Sequence, residues 1–100
     1  MKVLKHPDEW ARGAIALPAA DLEQGLLFDL PHSGNWPVCM EGMDVPLDVY
    51  WLSDTGMVLE HVELFPGMPV HWPECAAKYV LEYPMADKPA YKIGDFVELP

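Results

Sequence analysis

Asp48 is the residue whose type and position most need a chemical explanation. It is the only charged residue in the apolar run 45–52, where it lies just beyond Pro46 in a predicted strand. A carboxylate there could act as a general base or accept hydrogen bonds from a bound polar ligand. It could also accept backbone N–H groups from the bend at residues 42–44 and so tie the loop to the strand. We favour this structural role for Asp48.

Two histidines and two cysteines carry donor atoms that suit zinc, namely His61, His71, Cys39 and Cys75. Their spacing matches no compact ligand pattern, so only folding could bring them together. A metal site at His61 and His71 is therefore the weaker interpretation, and half-exposed surface histidines are the stronger one. The cysteines are most simply buried, inert thiols of a reducing compartment, and a disulfide between them stays open.

Nucleophilic and cofactor chemistry have little support in this chain. Its two serines, Ser33 and Ser53, both lie in predicted turns, and neither belongs to a Gly-x-Ser-x-Gly elbow. The sequence contains no phosphate-binding glycine loop and no dinucleotide fingerprint. We therefore expect no cofactor and no complete catalytic constellation.

Aromatic residues are numerous, and most are expected to build the core. Trp72 is the exception, because it lies in the irregular segment His71–Pro73, and loops often carry binding roles. We expect Trp72 to be exposed. The candidate ligand or interaction residues are therefore Trp72, Asp48, Met40 and His71.

The composition of the 100 residues favours a single mainly β domain over residues 1–100. Hydrophobic residues make up 51% of the chain, and eleven prolines with seven glycines suit short strands separated by turns.

A helix is expected over residues 6–13 and a further helical turn over residues 19–24, with a break at Leu17–Pro18. Strands are expected at residues 25–30, 36–40, 45–52, 57–65, 78–83 and 96–99, with a loop at 31–35 and a hairpin turn at 53–56.

The charge balance restricts the class of partner. Sixteen acidic residues against six basic ones give a net charge of −10, and Arg12 is the single arginine. Phosphate backbones are bound by clustered Lys and Arg, so neither nucleic acid nor an anionic membrane is an expected partner. The acidity favours solubility first, and a salt-adapted host or a cationic partner second. The absence of a signal peptide and of a long apolar run indicates a cytoplasmic protein.

Several short motifs occur in the order typical of one family. They are Arg12-Gly13, Gly25 to Phe28, Pro46-Leu47-Asp48, the turn at Gly56, Tyr79 to Glu82 and Ile93 to Val97. In order and spacing the chain resembles the DUF192 family of small uncharacterised proteins. The resemblance implies a compact, mainly β sandwich- or barrel-like domain with a short helix near its start.

The chain departs from the usual family signature just before Pro46. That signature places Phe-Trp-Met-x-Asn-Thr where residues 38–43 stand here. Met40 is kept, Cys39 replaces the tryptophan, and Gly42 and Met43 replace the polar pair. The family name implies a fold and no activity.

We therefore expect a non-enzymatic binding or interaction module that uses the Gly42–Asp48 bend and the Pro66–Glu74 loop. Its partner would be a protein or a small polar ligand. One alternative is an enzyme for a small polar or saccharide-like substrate, with Asp48 as general base and His61 or His71 as its partner. Another is a structural subunit of a larger assembly whose exposed apolar loops pack on a neighbour.

Overall fold

The fold is built on one five-stranded sheet. The computed structural model describes residues 1–16 and 19–100. The strands of the sheet lie in the spatial order β1-β2-β5-β3-β4, so β5 is the central strand and the sheet does not close into a barrel. The β1 and β2 strands are parallel, and the other pairings are antiparallel. The mainly β prediction is confirmed. The strands are β1 (Lys2–Leu4), β2 (Leu26–Gly34), β3 (Leu47–Leu52), β4 (Val58–Leu64) and β5 (Ala77–Pro84).

Two short helices connect β1 to β2. Helix α1 spans Pro7–Arg12 and continues into a 3₁₀ turn at Gly13–Ala16, and α2 spans Ala19–Glu23. Pro7 occupies the first helical position, where its missing N–H costs nothing. Both predicted helices are confirmed, whereas the predicted break at Leu17–Pro18 lies outside the described residues. No helix of the described part is long and apolar enough to cross a membrane.

Both faces of the sheet are covered, and this explains why all six residues of β3 are buried. On one face the strands pack against α2 and against residues 36–43, the segment that follows β2. On the other they pack against residues 91–99, the C-terminal segment. The first core includes Leu22, Leu26, Val49, Trp51 and Val80, and the second includes Leu27, Tyr50, Leu52, Leu81 and Val97.

The predicted central hairpin is confirmed as β3 and β4. Asp48 lies opposite Glu63, and Tyr50 lies opposite His61. Because side chains alternate along a strand, Asp48 shares its face with Tyr50, on the side covered by the C-terminal segment.

Two predicted strands are wrong. Residues 36–40 and 96–99 each contribute only an isolated bridge, Val38 with His71 and Phe96 with Met57. Pro37 removes a backbone donor from the first segment, which limits its pairing. The C-terminal segment instead bonds to the hairpin turn, where Val97 N donates to Gly56 O at 2.8 Å.

The start and end of the β1–β2 region also differ from expectation. The sequence did not predict β1, which is only three residues long. The predicted loop at residues 31–35 is wrong, because β2 continues to Gly34. The register shifts between Asp29 and Gly34, and such an irregularity accommodates Pro31 within a strand.

Gly56 fixes the contact between the hairpin turn and the C-terminal segment. Its φ is +89°, and a Cβ added there would lie 2.5 Å from the Val97 carbonyl oxygen. Gly67 has a similar φ of +85°, but an added Cβ would meet nothing within 4 Å. A substitution at Gly67 therefore reports the cost of backbone strain alone, whereas a substitution at Gly56 also reports the cost of the close contact with Val97.

We expect Gly67→Ala to lower the free energy of unfolding by about 1 kcal/mol, the cost of a side chain in the left-handed region. Gly56→Ala should cost about 2 to 4 kcal/mol, because the C-terminal segment must also move away from the new methyl group. Urea unfolding of both variants measures the difference. Equal losses would show that Val97 does not approach Gly56 closely.

Candidate functional site

A cavity of about 370 Å³ lies between α1, the segment after β2 and the sheet. Its wall is predominantly apolar, and its few polar side chains come from α1, from the segment after β2 and from the central strand. The apolar wall includes Trp10, Phe28, Leu30, Trp36, Met43 and Val80, and the polar side chains are Arg12, Glu41 and Glu82.

Glu82 is the buried polar group of this cavity. It lies on the central strand between Leu26 of β2 and Val49 of β3, and only 4% of its surface is exposed. Burial raises the pKa of Glu82 from 4.5 to about 7, and no neighbouring charge or hydrogen bond among the described residues contributes to the shift. The carboxyl group thus lines an apolar cavity, and no side chain of residues 1–16 and 19–100 is described as its partner.

The indole rings near the cavity are held in place by their N–H groups. Trp10 Nε1 donates to Leu4 O at 3.0 Å, and Trp36 Nε1 donates to His32 O at 2.9 Å. Trp51 Nε1 donates to Trp36 O at 2.9 Å, which ties the segment after β2 to the sheet. Because these donors are occupied, the indoles of Trp10 and Trp36 offer a ligand their apolar rings and leave Glu82 without a donor.

Arg12 lines the cavity but is bonded within its own helix. Its Nε donates to Asp8 O at 3.3 Å, and its Nη2 lies 3.5 Å from Asp8 Oδ2. Both side chains are largely exposed, so this pair is a weak, solvent-screened one. The guanidinium does not neutralise Glu82.

Cys39 also lines the cavity, and its thiol is exposed and free. Its Sγ accepts the backbone N–H of Glu41 at 3.4 Å. The prediction that Cys39 is buried is wrong for a geometric reason. Val38 and Met40 point into the core, so the residue between them points outward.

Asp48 lies on the opposite face of the sheet, with 2% of its surface exposed. Its Oδ1 lies 2.8 Å from His61 Nε2, and its Oδ2 accepts the backbone N–H of Ala86 at 3.3 Å. The carboxylate therefore has a backbone partner, but the expected partner was wrong. Ala86 follows β5, and the bend at residues 42–44 is not involved.

Tyr50 and the residues after β5 surround the Asp48–His61 pair. The Tyr50 ring stacks on His61 with centroids 4.6 Å apart, and its hydroxyl oxygen accepts the Ala90 N–H at 3.1 Å. Burial, with a smaller contribution from the Asp48 charge, raises the pKa of Tyr50. A shallow depression of about 330 Å³ lies beside Asp48 and Tyr50, and His61 does not line it.

His71 is paired with a different carboxylate. Its Nε2 lies 3.6 Å from Glu60 Oε2, which is too long for a hydrogen bond, and the ring packs on Trp51. Within the described residues the structure brings no three His, Cys, Asp or Glu side chains together in a way that could hold a metal ion. The two histidines considered as ligands therefore each face one carboxylate, His61 with Asp48 and His71 with Glu60.

The remaining candidates occupy contrasting environments. Met40 is 1% exposed and packs in the core. Trp72 is 65% exposed, as predicted, and the neighbouring apolar side chains Phe65, Met68 and Val70 are also exposed. Whether this loop contacts a partner stays a prediction.

Sequence reasoning missed Glu82, although a signal was present. Tyr79, Leu81 and Tyr83 mark one face of β5 as apolar, which suggested that Glu82 belonged to a polar face. Val80, its neighbour on the same face, indicates that this face is buried too. A strand with apolar residues on both faces is typical of a central strand, and an acidic residue within it is a candidate functional group.

Glu82 should make the protein less stable as the pH rises. The pKa of this carboxyl group is about 7 in the folded protein and 4.5 in the unfolded chain. Its contribution to stability is therefore complete below pH 4.5 and is lost as the pH rises to about 7. Between pH 5 and pH 8 the wild type should lose about 2 to 3 kcal/mol relative to Glu82→Gln. Urea unfolding of both proteins at the two pH values measures this difference, and parallel pH profiles would contradict it.

Two solved structures share this fold. One is a chain from Sinorhizobium meliloti 1021 that carries the name "putative transcription regulator", with a TM-score of 0.72 and 18% identity over 82% of this chain and 65% of that chain. The other is a protein of unknown function from Novosphingobium aromaticivorans DSM 12444, with a TM-score of 0.66 and 17% identity over 82% of this chain and 60% of that one. The chain thus spans less than two thirds of either similar chain.

No curated protein matches the sequence. The model of one protein family does match, and it covers residues 1–99, nearly the full length. That family is DUF192, described as "Uncharacterized ACR". The chain belongs to the DUF192 family.

Proposed function

We propose that this protein is a non-enzymatic binding module whose cavity takes a small ligand with an apolar body and a polar group directed at Glu82. The observation that carries the proposal is the Glu82 carboxyl group, which is 4% exposed and lines an apolar cavity without a hydrogen bond from any described residue. Buried polar groups in proteins are nearly always hydrogen-bonded. A ligand that carries a donor would supply the missing bond.

The shape and chemistry of the cavity support a small ligand. A volume of about 370 Å³ lies within the usual range for small-molecule sites. Such sites combine apolar and aromatic walls with few polar groups that fix the orientation of the ligand. The bonded indoles of Trp10 and Trp36 form a wall that needs no rearrangement on binding, which lowers the entropic cost.

The cavity overlaps one of the two regions expected from the sequence. Glu41, Met43 and Leu47 line it, and they flank or belong to the Gly42–Asp48 bend. The Pro66–Glu74 loop contributes no residue to the wall. We therefore propose that the bend forms part of the binding surface and that the ligand lies in the cavity beside it.

A role in gene regulation would not involve DNA contact by this chain. The name of one similar solved structure refers to transcription. This chain has a net charge of −10 and a single arginine, which is unsuited to the phosphate backbone. We propose that any regulatory role of this chain acts through ligand binding and a protein partner.

We expect 2-naphthylmethanol, a neutral aromatic alcohol, to bind the cavity saturably. Two-dimensional ¹H–¹⁵N NMR should show shifts of the Trp10 and Trp36 indole N–H signals and none at the Ala90 amide, which lies beside the shallow depression. The reason is that the naphthyl group would lie on the aromatic wall while its hydroxyl donates to Glu82.

A cavity-filling variant provides the control for this experiment. Ala11 lines the cavity from α1, whereas the exposed Ala76 lines neither cavity. Ala11→Phe should weaken binding at least about tenfold because its ring occupies the ligand volume, and Ala76→Phe should leave binding unchanged. Absence of saturable binding to the wild type, or equal effects of both variants, would refute the binding module.

An enzyme with Asp48 as general base is the second candidate, and one observation favours it. Asp48 lies 2.8 Å from His61 at the edge of a depression large enough for a small substrate. Both carboxylate oxygens already have partners, however, and His61 does not line the depression. These contacts agree better with a structural role, since they join β3 to β4 and to the residues after β5.

If Asp48 is structural, Asp48→Ala should lower the free energy of unfolding by about 2 to 3 kcal/mol, because His61 and the Ala86 amide lose their buried partner. Asp48→Asn should cost less, since an amide oxygen can still accept from Ala86. Asp54→Ala, at an exposed position in the hairpin turn, should change stability by less than about 0.5 kcal/mol. Denaturant unfolding checks these values. A stable Asp48→Asn protein that lost a wild-type activity on 4-nitrophenyl glycosides would instead support the enzyme.

A further inference from the structure

We propose that the ligand of this cavity is an organic cation, an amine with an apolar body whose ammonium group pairs with the Glu82 carboxylate. The inference rests on the binding function proposed above and specifies its ligand class. It combines three observations: a buried carboxyl group with no partner in the described part of the chain, an aromatic wall beside it, and a strongly negative net charge.

An ammonium group would satisfy the Glu82 carboxylate better than a neutral donor would. An ionised carboxylate in an apolar site is costly unless it gains both hydrogen bonds and an opposite charge. A neutral donor supplies only the hydrogen bond, whereas an ammonium group supplies both. Charge-assisted hydrogen bonds are also about twice as strong as neutral ones.

Two cationic side chains on the elements that form the cavity, Lys78 and Arg12, are bonded to other groups. Lys78 lies on the same strand and face as Glu82, but its Nζ bonds to Asp29 Oδ1 at 2.7 Å and to the Leu30 carbonyl oxygen. Arg12 is bonded to Asp8 of its own helix. Neither side chain occupies the place that a ligand cation would take.

The aromatic wall of the cavity also favours a cation. Trp10, Phe28 and Trp36 line the same cavity as Glu82. Aromatic faces attract cations through their ring electrons, and tryptophan does so most strongly. An anion would gain nothing from such a wall, and it would be repelled by Glu82.

The overall charge acts in the same direction. A net charge of −10 raises the local concentration of cations around the protein and lowers that of anions. This effect reaches beyond direct contacts, and it is screened by salt. It adds to the selectivity that the carboxyl group provides within the cavity.

The pH dependence of binding follows from the charge state of Glu82. Burial raises its pKa to about 7, so below that value an amine must displace a proton to bind. The charged groups on the elements around it are Asp8, Glu9 and Arg12 on α1, Asp21 and Glu23 on α2, Glu41 and Asp44 after β2, and the Asp29–Lys78 and Glu60–His71 pairs. None of these contributes to the shift, which assigns the pH dependence to Glu82 itself.

The experiment compares three probes of one shape: 2-naphthylmethylamine, 2-naphthylmethanol and 2-naphthoate. We expect the amine to bind at least about tenfold more tightly than the alcohol at pH 8, and naphthoate to bind most weakly. Amine affinity should fall about thirty-fold between pH 8 and pH 5.5, while alcohol affinity should change little. Isothermal titration calorimetry measures all three.

Glu82→Gln serves as the matched variant, because it preserves the shape of the side chain and removes its charge. It should abolish both the preference for the amine and the pH dependence, so that amine and alcohol bind the variant with equal affinity at pH 5.5 and at pH 8. If amine and alcohol bind the wild type equally, the cation inference is wrong and the binding module stands. If no probe binds, the binding module itself fails. Tightest binding by naphthoate would overturn the inference in favour of an anion held by Arg12.

Discussion

The position of Glu82 in the central strand is the constraint on which the rest of the account depends. Strands β2 and β3 flank it on both sides, and the segments that cover this face of the sheet remove it from solvent. A carboxyl group in that position can only be neutral, paired or costly. Among the described residues it has no pair, and burial raises its pKa to about 7. The proposed ligand and its pH dependence both follow from this single group.

The two buried carboxyl groups of the protein show opposite solutions to the same problem. Asp48 is satisfied by His61 and by the Ala86 amide, and these bonds join β3 to β4 and to the chain after β5. Glu82, on the other face, lines a cavity and has no such partners among the residues that the structure describes. Burial alone therefore does not identify a functional carboxylate, and the number of its protein partners is what separates the two.

Much of the fold could be predicted from the sequence, because its strongest signals are local. The β3–β4 hairpin has two apolar runs around an Asp/Gly-containing turn, and β5 shows regular alternation. The short helix at Pro7–Arg12 has a proline at its start and a glycine just after it. The errors fall where pairing depends on distant residues. The segment at 36–40 is shaped by its contacts with Trp51 and His71, and the C-terminal segment by its bonds to Gly56.

The site was harder to predict than the fold for the same reason. Asp48 was conspicuous as a lone charge in an apolar run, so its special environment was found, although its partners lie 13 and 38 residues away in the chain. Glu82 was inconspicuous, because β5 also contains Lys78 and looks amphipathic. The strand order, which places β5 in the middle of the sheet, makes the burial of Glu82 evident.

The ionisation of Glu82 can be observed directly. With ¹³C-labelled glutamate, the side-chain carboxyl signal of Glu82 can be assigned from the Glu82→Gln variant and followed by NMR from pH 3 to pH 9. The account predicts that this signal titrates with a midpoint near pH 7, well separated from the other glutamates. A midpoint near 4.5 would show that the carboxyl group is solvated or paired within the protein, and it would contradict the account.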